Sequence, residues 1–347
     1  MTGATVLGPW PGIDQHEAQA TAIGELSSAP DGVTGMPPLV QLPGRGPWAH
    51  TIARTAALLT EMPVEVGPHG WKLADRPGQD LERVRASMRE ELDILAVTGF
   101  EYAGPLVVSL PGPWSLAATL YLARGDRVLS DPGAVRDMVS ALADGLGALL
   151  TSILGAVPAA QPVVVLREPL LPDVLAGGIP DFSGHGRLWS VLGERASGAL
   201  ADVVGAARAD GATSVVVHGG ARCRSEEITV LADSKADALG LAAGSVSSRE
   251  WESLAGLVED GTALWFGLPR EDDDRRPDSV ALARLVAGPW TAVGLPAAGL
   301  ADVVLHADIS GTGSGRGTGV GGLLEARGAI SSAIEVAARL AERAADG

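Results

Sequence analysis

Cysteine is almost missing from this chain. Cys223 is the only one, which rules out a disulfide framework and a four-cysteine zinc site. Lysine is nearly as scarce. Lys72 lies beside a tryptophan in a loop-like segment and Lys235 in a polar helical stretch, so a barrel aldolase with a Schiff-base lysine at a strand end finds no candidate. Aromatic residues make up 4% of the chain, and eight of the thirteen are tryptophan, so the core must rest on Ala, Val and Leu. Positive charge is short as well: 26 Lys and Arg against 42 Asp and Glu give a formal net charge of −16. That balance argues against a nucleic-acid partner, which needs a basic face, and suits a soluble, cytoplasmic protein. Residues 1–7 lack a basic start and a long apolar stretch, so no signal peptide is expected. The most apolar run, 145–160, follows Asp144 and contains Pro158, which fits a buried helix better than a membrane span, and no membrane partner is expected.

What the chain does contain is a regular alternation. Short β-branched runs at 4–7, 106–110, 163–166, 214–218, 237–241, 263–267 and 302–306 are separated by helical patterns such as 81–97, 134–154, 188–209, 249–258 and 323–343. Continuous runs like Val163-Val164-Val165-Leu166 and Val215-Val216-Val217 suit parallel strands covered on both faces. Repeated strand–helix units imply an α/β fold. Even spacing along the whole chain, with no Gly/Ser linker, favours a single (β/α)8 TIM barrel spanning 1–347. Its eighth strand is assumed near 67–73 or 290–293.

In a barrel the segments after the strands share one face, where catalytic groups gather. Those segments are Gly8-Pro9-Trp10-Pro11-Gly12, Pro111-Gly112-Pro113-Trp114, Arg167-Glu168-Pro169, His218-Gly219-Gly220 and His306-Ala307-Asp308. Trp10 and Trp114 either wall a pocket or cap the barrel from rigid Gly-Pro turns. The run from Gly311 to Gly322 matches Gly-x-Gly-x-x-Gly, but no strand follows it, so a dinucleotide fingerprint is rejected. Two readings of it remain: a phosphate-binding loop aided by Arg316, or a plain connecting loop. The block Glu271-Asp272-Asp273-Asp274 reads as a solvated loop.

Several segments resemble, in the same order, the cobalamin-independent methionine synthase family, in particular the short single-barrel relatives of its carboxy-terminal catalytic half. They are Leu42-Pro43-Gly44-Arg45-Gly46-Pro47 with Ile52 through Leu59, Gly70-Trp71-Lys72-Leu73, Gly112-Pro113-Trp114-Ser115, Glu168-Pro169 and Val217-His218. The resemblance implies a methyltransferase of methionine biosynthesis. Zinc, held by a His-x-Cys pair, a glutamate and a distant cysteine, would carry a thiol such as homocysteine as its thiolate, and a folate would supply the methyl group. The metal matters because a thiol with a pKa of about 8.5 is mostly protonated at neutral pH.

The chain departs from that pattern at the metal. His218 is kept, but Gly220 stands at the His-x-Cys cysteine, Ala242 at the glutamate, and the distant cysteine falls near Asp308-Ile309-Ser310. Arg167 stands where the family usually has an aspartate. One imidazole cannot hold zinc tightly. A rearranged set of His218, Cys223, His306 and Asp308 is chemically reasonable; otherwise Cys223 is a buried apolar residue. The expectations are therefore weak or absent zinc, with His218 and Glu168 as catalytic groups. Trp10, Trp114, Glu168 and Asp308 are expected to bind a small molecule, such as a thiol or amino acid, together with a folate. All five are expected to converge at one barrel mouth, Glu168 facing in and Arg167 pointing away. Two function classes follow: a methyl- or alkyl-transferase acting on a thiol, or a metal-free barrel that binds a small molecule or serves a regulatory or scaffolding role.

Overall fold

The computed structural model describes residues 1–269, 278–308 and 320–346. In chain order the first half runs β1 (Thr2–Leu7), α1 (Gln15–Ser27), β2 (Val33–Gly35), α2 (Thr51–Ala56), β3 (Val64–Gly67), β4 (Gly70–Leu73), α3 (Gln79–Thr98), β5 (Gly104–Pro111), α4 (Pro113–Ala117) and α5 (Pro132–Ala156). The second half runs β6 (Ala160–Arg167), α6 (Leu171–Leu175), α7 (Gly193–Ala209), β7 (Ser214–His218), α8 (Ser225–Asp233), β8 (Ala238–Ala242), α9 (Ser248–Glu259), β9 (Ala263–Leu268), α10 (Ser279–Ala292), β10 (Val304–Asp308) and α11 (Val320–Asp346).

Eight parallel strands form one sheet in the order β2-β1-β10-β9-β8-β7-β6-β5. The two ends meet just past β2, where Val107 donates its N–H to Pro37 O and accepts from Leu39 N–H, both at 2.8 Å. The fold is thus the expected (β/α)8 barrel. Its eighth strand is β2, at neither expected place. Residues 64–73 instead form the antiparallel β3–β4 hairpin outside the barrel, and Trp290 lies within α10. β2 is three residues long and runs into Met36-Pro37-Pro38, whose prolines donate nothing to a ladder, so it carries no strand-like pattern.

Local chemistry sets the elements. The Asp131 carboxylate caps α5 through the N–H groups of Gly133 and Ala134, with Pro132 in the first turn, and Ser247 with Glu250 makes a capping box on α9. α5 is long and apolar enough to cross a membrane by length and composition alone. More than half of its most apolar window, 56%, is buried inside the fold, as a helix covering a barrel requires. Strand parity decides what reaches the site. On β6, Val163 and Val165 belong to the cluster inside the barrel, while Val164 and Leu166 pack against the helices. Arg167 therefore points inward and Glu168 outward. The acidic block at 271–274 lies outside the described residues, as do residues 311–319 of the glycine-rich run; Val320 opens α11.

Candidate functional site at the barrel mouth

At the carboxyl end of the barrel, two imidazoles meet. His218 closes β7 and His306 lies on β10, three strands apart in the sheet order, yet their Nε2 atoms are 2.8 Å from each other. The rings cross over β8 and β9, whose inward positions are Gly240 and Gly267. A Cβ on Gly240 would lie 2.1 Å from His218 Cδ2, and one on Gly267 would lie 2.8 Å from His306 Cε1. The absent side chains are what make room for the pair. Gly240→Ala is expected to force His218 off His306 and to destabilise the fold by about 1–3 kcal/mol or more. Gly256→Ala, on α9 with open space around it, is expected to stabilise by about 0.5–1 kcal/mol. Urea denaturation of the two variants side by side measures both effects.

The hydrogen bonds also fix where the protons sit. His218 Nδ1 accepts the Gly220 N–H at 3.0 Å, so neutral His218 carries its proton on Nε2 and donates it to His306 Nε2. His306 must then be protonated on Nδ1, a buried atom with no hydrogen-bond partner among the described residues. Both rings are held neutral. Burial lowers His306 to about 3, helped by the Arg167 charge. Burial first, then His306 and Arg167, push His218 well below its usual 6.5, against a smaller pull from Asp308.

This arrangement does not fit zinc. A neutral imidazole that binds metal through Nε2 must carry its proton on Nδ1, and in metal sites that N–H normally donates to an acceptor. Here the Gly220 N–H already points at His218 Nδ1, with Gly220 at φ 76°. Among the described residues no group of three or more His, Cys, Asp and Glu side chains could hold a metal ion. Cys223 does not join the histidines. It packs in the main core cluster beside Gly219 and Leu231, and burial pushes its thiol up to about 12, aided by Glu227 and Glu250. The rearranged set therefore reduces to the His218–His306 pair, with Asp308 close by.

Arg167 and Glu168 sit the other way round from the expected orientation. Arg167 is level with His218 in the ladder and reaches Asp308, Nη2 to Oδ2 3.2 Å, with a quarter of its side chain exposed. β6 and β10 are four positions apart in an eight-stranded ring, so this ion pair spans the full width of the mouth. Glu168 turns outward beneath the start of α4 and is fully buried. Its oxygens accept the N–H groups of Trp114 at 2.8 Å and Ser115 at 2.7 Å, and the Ser115 hydroxyl bonds to it as well. A Cβ on Gly112 would come within 2.4 Å of Glu168 Oε1, so only glycine lets the turn close this tightly. Every partner is a donor that favours the carboxylate, yet complete burial outweighs them and raises Glu168 to about 7.

The two tryptophans do not line the mouth. The Trp114 ring packs in the helix-facing core, its indole N–H donating to Ala196 O at 2.9 Å. The Trp10 ring packs with Ala18, Leu26, Ala326 and Ile330 among α1 and α11. Each Gly-Pro turn hands its tryptophan to the outer layer, so neither ring walls the mouth. Of the five residues expected to converge, His218 and Asp308 face the mouth, while Trp10, Trp114 and Glu168 stand outside it. Arg167 was missed as a mouth residue: it shares its parity with Val163 and Val165, but apolar residues on both faces of β6 leave the inward parity unmarked in the sequence.

No protein-family model matches this chain, and no curated protein matches it. Among solved structures it is similar to a B12-independent methionine synthase from Shewanella sp. W3-18-1 in complex with selenomethionine, at 12% identity over 97% of each chain and a TM-score of 0.53. A GH5 xyloglucan-specific β-1,4-glucanase from a ruminal metagenomic library aligns over 96% of this chain and 94% of its own, at 13% identity and a TM-score of 0.40. At 12% identity, what the chain shares with the methionine synthase is the barrel itself.

Proposed function

We propose that this chain is a methionine-synthase-like barrel that binds a small carboxylate-bearing molecule at its mouth, without a thiolate-activating zinc. The observation that carries this reading is the inward Arg167, a permanent cation at the carboxyl end of β6, paired across the mouth with Asp308. A ligand carboxylate can take the place of the Asp308 carboxylate on the guanidinium, in the bidentate geometry that arginine favours. Methionine-like amino acids are the first molecules to try, because the similar methionine synthase was solved with selenomethionine bound. Work in the cytoplasm is part of the proposal.

Methyl or alkyl transfer from a folate to a thiol such as homocysteine is the rival reading. It needs a group that takes the thiol proton, and a ring held near 3, beside another well below 6.5, is far too weak a base for a thiol near 8.5. A purely regulatory or scaffolding role needs no ligand at all. Calorimetric titration separates these readings. L-Methionine is expected to bind, L-methioninol, which lacks the carboxylate, to bind about tenfold more weakly or worse, and Arg167→Gln to remove the difference. Asp308→Asn is expected to tighten carboxylate binding by freeing the guanidinium. Equal binding of the two probes to the unaltered chain sinks the proposal. Methyl transfer to homocysteine that needs added zinc and is lost in His218→Ala restores the transferase.

A further inference from the structure

The hydrogen bonds at the mouth run in one direction. Gly220 N–H donates to His218 Nδ1, and His218 Nε2–H donates to His306 Nε2, leaving His306 Nδ1–H as the last donor with no acceptor among the described residues. His306 as a whole is 4% exposed. A buried donor without a partner is costly, about 1–3 kcal/mol, and native structures rarely leave one unsatisfied. Thr5, the register partner of His306 on β1, gives its hydroxyl proton to Met36 O at 2.6 Å and makes no hydrogen bond with His306 Nδ1. His306 lies two residues before Asp308 on the same strand, about 7 Å deeper than the Arg167–Asp308 bar.

We infer that His306 is a second recognition point of the same ligand site, its Nδ1–H donating to a carbonyl or carboxylate oxygen of the small molecule whose carboxylate is held by Arg167. This rests on the ligand-binding reading above and narrows its substrate class. The polarity of the chain makes position 306 a donor only. A ligand oxygen there completes the series, whereas an ammonium or another donor group meets a proton already in place. His218 acts as a positioning residue: by donating to Nε2, it holds the His306 proton on Nδ1. The favoured ligand is therefore a carboxylate with a second oxygen acceptor, such as a 2-oxo acid, over the 2-amino acid of equal length. The tight fit of Gly240 and Gly267 against the rings leaves His306 little freedom to swing away from this role.

Two measurements test it. The first needs no ligand and no variant: nitrogen-15 NMR of the histidine side chains in the unaltered chain. It is expected to show His218 protonated on Nε2 and His306 on Nδ1, both staying neutral at pH 6. A His306 ring protonated on Nε2, or one exchanging freely between tautomers, overturns the inference. In the second, 2-oxobutanoate and L-2-aminobutanoate are titrated by calorimetry while the His306 Nδ1–H signal is followed. The 2-oxo acid is expected to bind about tenfold tighter or more and to move that signal. His306→Leu is expected to erase the preference, and His218→Phe to shrink it by freeing the tautomer of His306. Equal affinities, or binding that leaves the Nδ1–H signal in place, would mean that an ordered water alone is the acceptor. Arg167-dependent binding in that case would leave the carboxylate reading standing and remove only this one.

Discussion

The unfolding free energy of this chain is expected to peak near pH 6.5, to fall by about 1.4 kcal/mol per pH unit from there to 4.5, and to fall more steeply just below 4.5. Three buried groups dominate those slopes, and Glu91, whose carboxyl burial also raises, adds to the Glu168 effect just above 4.5. His306, lowered to about 3, and His218, lowered well below 6.5, stay neutral in the folded chain while the unfolded chain protonates both as pH drops through 6.5. The unfolded state then binds two more protons, and acid destabilises the fold. Glu168, raised from 4.5 to about 7, acts the other way. Its stabilisation is fully present below 4.5 and is lost as pH rises through 7, because the folded chain keeps a proton that the unfolded one releases. Between 4.5 and 6.5 it cancels one of the two histidine protons, and below 4.5 it cancels nothing.

Urea denaturation at half-unit steps from pH 4 to 7.5 reads these slopes directly. Glu168→Gln is expected to double the slope between 4.5 and 6.5, whatever it does to absolute stability. His306→Gln is expected to lower the slope by about one proton. A profile flat from 6.5 to 4.5 in the unaltered chain, and unchanged by Glu168→Gln, would mean that the imidazole pair titrates normally. The tautomer argument for the mouth would then fall with it.

The parts of the molecule that could be read in advance are those whose signal is local. Runs such as Val163-Val164-Val165-Leu166 are strands because β-branched residues buried on both faces leave no other home for them, and seven of the eight barrel strands announce themselves this way. The same burial hides parity. With apolar residues on both faces of β6, nothing in the sequence says whether Arg167 or Glu168 faces the axis, and the expectation took the wrong one. β2 was invisible because three residues followed by Pro37 and Pro38 carry no pattern. The presence of His218 and His306 at one mouth was legible from their strand ends. Their contact was not, since it depends on Gly240 and Gly267 supplying empty space on the two strands between them. Space has no sequence propensity. Trp10 and Trp114 failed for a related reason: a turn fixes where a side chain starts, while the packing of the helices decides where the ring goes.

Removing one partner of the buried Arg54–Glu91 ion pair is expected to cost about 3–5 kcal/mol, among the largest single-residue effects in the molecule. Arg54 on α2 and Glu91 on α3 are bonded through Nη1 and Oε2, with their side chains 7% and 1% exposed. Burial holds the Glu91 carboxyl above its usual range, although Arg54 pulls it back. The pairing is also incomplete: Arg54 Nε and Glu91 Oε1 are buried without a hydrogen-bond partner among the described residues. Such a pair gains little over well-packed apolar residues but leaves a stranded charge when half of it is deleted. Glu91→Ala should thus strand a guanidinium in an apolar layer and move the urea midpoint sharply down. The double variant Arg54→Met/Glu91→Leu fills the space without any charge and should recover most or all of the loss. Arg54 falls within Ile52-Ala53-Arg54-Thr55, and its role there is a clasp between α2 and α3. A loss below about 1 kcal/mol in Glu91→Ala, or a double variant no better than the single one, would show that water reaches the pair and that α2 is held by its apolar contacts instead.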